Sequence, residues 1–326
     1  AVVSAPRRVA PRRRRWRGRY AALLLLLVAG VLAVPGAARR GSGMGASIGS
    51  LSFGSLGNVS QSNSNAGLMD TLTLALPLPA PDRGQDYYAW MAGDEGGPET
   101  LWIPLGPLTW AAGTASLTYT APQRANLLAS YSRFLITSEA TTIPPQQPSA
   151  TVVAQASISA TPTPGDPHHY SLRDHLRHLL AADPALAALG IQGGVAAWFA
   201  RNTAAVEQQA SGLLADWHAG DVASLRDRLI RILDYLDGSA FVQPEVPPAT
   251  PLLISSPLAR VGLLTLAPGE TPPGYALHTD IHLQGVARAT GATPWQQREA
   301  EDLRAQMNAA ALALSNIRAD ALPLVH

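Results

Sequence analysis

From Asp70 onward apolar residues fall on alternate positions: Leu72, Leu74, Leu76 and Leu78 are separated by Thr73, Ala75 and Pro77. A period of two predicts a strand with one buried face. Pro77 and Pro79 end that strand or place it at a sheet edge. Strand-like runs follow at 87–91, 102–105, 116–120, 127–131, 134–137 and 151–158, separated by turn signals such as Gly106-Pro107 and Ala121-Pro122. Seven such runs over about 90 residues predict an immunoglobulin-like antiparallel β-sandwich.

Beyond the Pro-rich stretch 161–167 the period lengthens. Ser171 can cap a helix whose stripe is Leu172, Leu176, Leu179 and Leu180. Gly193-Gly194 introduces a long helix with Val195, Trp198, Phe199, Val206, Ala210, Leu213 and Trp217 on one side. Asp221 caps a third helix, with Val222, Leu225, Leu229, Ile232, Leu233 and Leu236 as its stripe and Gly238 at its end. A short helix is predicted over 275–284. The last helix opens with Thr293 as cap, Pro294 next and Gln296 three residues on. Its stripe of Ala300, Leu303, Met307, Ala310, Leu314, Ile317 and Ala321 repeats every three and four positions, the pattern of a bundle core.

The chain therefore reads as α+β with two domains, a β-sandwich followed by a mainly α-helical bundle. The sandwich spans 67–160 and the helical domain 169–326, joined by a stiff Pro-rich linker at 161–168. Residues 41–66, rich in Gly, Ser and Asn, read as a flexible linker, with a ragged first strand around 48–53 as the alternative.

Charge changes the picture at the N-terminus. All 24 basic side chains are Arg, and ten precede residue 41, where there is no Asp or Glu. The remaining 14 Arg face 23 acids, so residues 41–326 are acidic by nine charges. That argues against a nucleic-acid partner, which needs a basic face. Eight Arg between Arg7 and Arg19 precede the apolar run 21–34, continued by Pro35-Gly36-Ala37-Ala38. This pattern predicts a leader over 1–40, either a transmembrane anchor through 21–38 or a removed signal peptide. Both readings place 41–326 outside the cell membrane, single-pass or secreted. The chain has no Cys, which excludes thiol catalysis and Cys-ligated zinc.

The stretch 72–148 resembles the extracytoplasmic domain of anti-sigma-K-type factors. Leu76-Pro77-Leu78-Pro79 ends an alternating strand, Tyr87 and Trp90 share the next, and Leu105-Gly106 precedes Leu108; Phe134-Leu135-Ile136-Thr137 then leads to Glu139 and Pro144. The resemblance implies a non-enzymatic outward-facing interaction or sensing domain with an envelope protein as partner, and no catalytic residues to carry over. The family's cytoplasmic sigma-binding module has no counterpart in the 20 residues before the apolar run, and the helical half has none in the family.

Candidate chemistry concentrates in histidine, and all eight His lie at or after His168. His175 and His178 stand at i, i+3 on the first long helix, and His278 and His282 at i, i+4 on the short one. If these helices pack together, four imidazoles converge on a transition metal such as zinc, copper or iron, with Asp174 and Asp280 as outer partners. The competing reading leaves these His on the flank of a Leu stripe and the protein without a cofactor. No Gly-x-Ser-x-Gly elbow, His-Glu-x-x-His motif or Lys is present, so the sequence predicts no enzyme. Trp90, Trp102 and Trp110 are candidates for a glycan- or peptide-binding face or for core.

Overall fold

A computed structural model describes residues 29–33, 47–55, 64–97, 101–248, 250–252, 254 and 256–326. Among them nine strands form one antiparallel sheet system: β1 Ala29–Ala33, β2 Ser47–Gly54, β3 Thr71–Pro77, β4 Gln85–Ala92, β5 Ile103–Pro107, β6 Thr109–Ala111, β7 Thr114–Thr120, β8 Arg133–Ala140 and β9 Val152–Ser157. The strand order is β5-β4-β8-β9-β1-β2-β3-β7-β6. It resolves into two four-stranded halves, β5-β4-β8-β9 and β2-β3-β7-β6. They are joined through β1, which pairs along β2 but meets β9 only at Ala33 and Gln155. The alternation read in the sequence holds on β3: Leu72, Leu74 and Leu76 are buried while Thr73 and Pro77 are exposed. Phe53 of β2 packs edge-on against Phe134 of β8, with ring centres 5.7 Å apart, so the two halves meet through their apolar faces.

Helices follow as α1 Leu127–Ser130, α2 Leu172–Leu180, α3 Pro184–Ala188, α4 Val195–Ala219, α5 Val222–Asp237, α6 Ser239–Val242, α7 Ser256–Ala259, α8 Tyr275–Arg288 and α9 Pro294–Ala321. The start signals work as the sequence indicates. Thr293 and Gln296 form a reciprocal capping box on α9, and Asp221 accepts from Ser224 N at 3.0 Å on α5. The chain is thus α+β, strands first and helices after. The two parts share one continuous apolar core, running from Leu51, Leu72 and Phe134 through Leu127 and Leu128 to Leu176, Leu179, Trp198 and Leu283. Polar contacts cross the same junction. Arg177 of α2 holds Asp94, just after β4, at 2.8 Å, and donates to Leu128 O at 3.0 Å.

Several expectations are corrected. No helix among the described residues is long and apolar enough to cross a membrane. Within the segment 21–38 read as a transmembrane anchor or signal peptide, Ala29–Ala33 is strand β1, with its backbone bonded to β2. A short apolar run of Ala, Gly, Val and Leu suits a buried strand as well as a helix, and pairing with β2 decides it here. Ala29–Ala33 is thus not part of a transmembrane helix, and nothing among the described residues supports the signal peptide. The rest of the predicted leader, 1–28 and 34–40, lies outside the described residues. Within the predicted linker 41–66, Ser47–Gly54 is a strand of the sheet. Residues 127–131 are not a strand: Asn126 accepts from Ala129 N at 3.1 Å and caps α1. Trp217 and Val222, placed in helix stripes, are 71% and 75% exposed, because the distal end of α4 and the start of α5 extend beyond the core. The Pro-rich stretch is no spacer either. Thr163 N bonds Tyr170 O at 2.9 Å and His169 N bonds Asp166 O at 3.1 Å, folding it into a tight loop beside α2.

Candidate metal centre

Three short-range decisions in the sequence build the site. Ser171 and Asp174 close a capping box that starts α2, which fixes His175 and His178 one turn apart beside the buried Leu176 and Leu179. Gly274 starts α8 and carries His278 and His282 on one face. Asp183 caps α3: its Oδ1 accepts from Leu186 N at 3.0 Å, and Pro184 follows at the first helical position. Capping uses one carboxylate oxygen and aims the other, Oδ2, at α8.

Packing of α2 against α8 brings the four imidazoles together, all of them buried. His175 Nε2 lies 3.3 Å from Asp166 Oδ2. His175 Nδ1 lies 3.2 Å from His282 Nδ1. His282 Nε2 and His278 Nε2 both stand 3.4 Å from Asp183 Oδ2. His178 joins from the other side, its ring centre 4.9 Å from that of His282. One ligand atom from each of His178, Asp183 and His282 falls within 4.8 Å of the other two. His175 Nε2 and the Nδ1 atoms of His178 and His278 are buried without a hydrogen-bond partner. Tyr170 covers the group, its ring edge-on to His178 at 4.6 Å and to His175 at 5.6 Å.

Two further residues make this geometry possible. Asp166 Oδ1 accepts from His168 N at 2.9 Å and Tyr170 N at 3.1 Å, so the loop holds the carboxylate rigidly against His175. Gly285, one turn after His282, leaves bare helix backbone where the His175 ring rests; a Cβ there would overlap the imidazole.

Electrostatics follow burial. Desolvation pushes His178 down to about 4, with the neighbouring His282 adding to it. It also lowers His175 and His282 against the opposing pull of Asp166 and Asp183. Burial alone would raise Asp183. The facing His278 and His282 rings and the Leu186 N–H outweigh it and hold the carboxylate below its usual range. His175, His178 and His282 are thus neutral imidazoles near an ionised carboxylate, the protonation state that metal ligation requires. It lines a cleft of about 480 Å³ whose walls include Pro164, Pro184, Pro272 and Ile281.

Comparison with family models, with curated proteins and with solved structures finds no match. The anti-sigma-K-type reading gains no support from relatives, and the site stands on its own geometry.

The sequence located the four His but misplaced their carboxylates. Asp174 serves the α2 cap, and Asp280 pairs with Arg304 at 3.0 Å. Asp166 and Asp183 fill the role instead. Asp183-Pro184 carries a helix-start signal, but α3 is only five residues long and shows no periodic stripe. Of the remaining His, His168 stacks on Tyr170 with ring centres 5.3 Å apart. Trp90 is core, its Nε1 donating to Thr137 Oγ1 at 2.8 Å. Trp110 lies partly exposed at the edge, donating to Leu78 O at 2.9 Å.

Proposed function

We propose that this chain is a transition-metal-binding protein whose centre is His178, Asp183 and His282, with His278 beside them and His175 and Asp166 behind. One observation carries the reading. Three buried ligand atoms, one each from His178, Asp183 and His282, lie within 4.8 Å of one another, and the Nδ1 atoms of His178 and His278 and the Nε2 of His175 have no hydrogen-bond partner. A cation held by His178, Asp183 and His282 would meet donors already in the protonation state that ligation requires. The spacing of one pair agrees: ligands about 2.0–2.1 Å from tetrahedral zinc lie roughly 3.3 Å apart, and His282 Nε2 stands 3.4 Å from Asp183 Oδ2. Imidazole and carboxylate donors suit zinc, with copper and iron as competitors. The cleft leaves a bound ion accessible to a small ligand.

The two four-stranded halves, packed through Phe53 and Phe134, support reading the sheet region as an immunoglobulin-like sandwich that buttresses the centre. The test of function is metal content. Untagged full-length chain, stripped with chelator and titrated with zinc, should bind about one equivalent, and His282→Ala should bind none. Absence of binding to zinc, copper and iron alike would overturn the reading.

A further inference from the structure

A second buried charge lies outside this centre. Arg201, in the second turn of α4, is 3% exposed. Its guanidinium lies over the Trp198 ring, 4.7 Å from the centroid. Nη2 donates to Ser64 O at 2.7 Å. Nε and Nη1 are buried without a hydrogen-bond partner, and no carboxylate among the described residues forms an ion pair with Arg201. Nor can the chain leading into Ser64 bring one, because no residue before Asp70 is acidic. Asp70 itself is fully buried on Arg124. A buried guanidinium, which stays protonated at neutral pH, normally has a counter-charge.

The surroundings favour an anion. Asn65 Oδ1, the nearby side-chain acceptor, is taken by Asn126 Nδ2 at 3.1 Å. The Tyr275 hydroxyl is close enough to feel the guanidinium charge, and it too is buried without a partner. Gly193 presents side-chain-free backbone beside Nη1: a Cβ placed there would stand 3.7 Å from that nitrogen.

We infer that Arg201 binds a small monovalent anion, halide or short carboxylate, at its unpaired Nη1 on the Gly193 side. The anion supplies the counter-charge that the described residues lack, and its size is limited by the packing of Trp198, Tyr275 and Gly193 around the guanidinium. This site is independent of the metal proposal.

The test measures thermal unfolding of the metal-free full chain at fixed ionic strength, with gluconate replaced stepwise by bromide, chloride, formate or acetate. A saturable rise in the midpoint with at least one small anion, absent in Arg201→Gln, is the expected result. A response to halides alone identifies a spherical site, and a response to formate and acetate a carboxylate site. Equal midpoints in every anion, or an equal rise in R201Q, would overturn the inference. If R201Q does not fold, crystals of the unaltered protein soaked in bromide and, separately, in formate decide: an anomalous peak or a bound formate beside Arg201 Nη1 supports the site, and neither there refutes it.

Discussion

Two buried aspartates show how the same side chain is put to opposite uses. Asp183 is 2% exposed and faces two imidazoles at the floor of a cleft. Asp237, at the end of α5, is fully buried and faces Arg318 of α9 at 2.8 Å. Glu245 shares that Arg, and Asp237 Oδ2 has no hydrogen-bond partner. Burial dominates at Asp237, and with the nearby Glu245 it pushes the group up to about 7 despite Arg318. At Asp183 partners win over burial. A permanent cation makes a latch between α5 and α9. Titratable partners beside an open cleft make a centre whose occupant can be exchanged.

The contrast can be broken most forcefully at the latch. Arg318→Ala strands two carboxylates and should cost roughly 3–5 kcal/mol of stability, read as a lower urea midpoint, with zinc stoichiometry intact. Asp183→Ala should do the reverse. It loses the metal, more than the roughly 10–100-fold typical of an outer-partner mutation, while the lost cap costs only about 1 kcal/mol. Calorimetric zinc titration checks the first and denaturation the second. Asp183→Asn keeps a cap acceptor and should retain stability while still losing metal. Gly285→Ala should weaken zinc binding about 10–100-fold by displacing His175 from its seat on α8.

A subtler distinction lies in pH dependence. His178 is near 4 in the fold against an ordinary 6.5, so the stability it contributes above pH 6.5 is lost as pH falls toward 4. Asp237 is raised from 3.8, so its contribution, present at low pH, is lost as pH rises toward 7. The two slopes oppose each other over one window. In metal-free protein, Asp237→Asn should make unfolding free energy climb more steeply between pH 4 and 7, and His178→Gln should flatten it. Identical profiles in both variants would dissolve the comparison. Smallest of all, Asp280→Asn should cost at most about 1 kcal/mol and leave zinc affinity unchanged, because its partner is the partly exposed Arg304.

The sequence was most legible where pattern and backbone physics coincide. The Leu72–Leu76 alternation, the Thr293–Gln296 box and the His pairs on α2 and α8 each follow from a local period or cap. It was least legible where a tertiary partner decides. Ala29–Ala33 is a strand because β2 lies beside it. Trp217 is apolar yet exposed, although α5 meets the same end of α4 through Arg228 and Asp216. Asp166 and Asp183 sit in irregular chain with no period to mark them, and only the fold brings them to the imidazoles. Gly285 looks like a weak helix residue until His175 is seen resting on it.

His175 and His282 are 107 positions apart. At ribosomal rates of about 5–20 residues per second, α2 emerges roughly 5–20 s before the helix that completes its site. Through that interval the nascent chain offers metal His175, His178 and Asp183 without the imidazoles of α8, and the flank of α2 that α8 will cover waits exposed. Docking of α8 is therefore a late event of biosynthesis, and any loss of that helix by premature termination leaves a chain with half a centre and an open core.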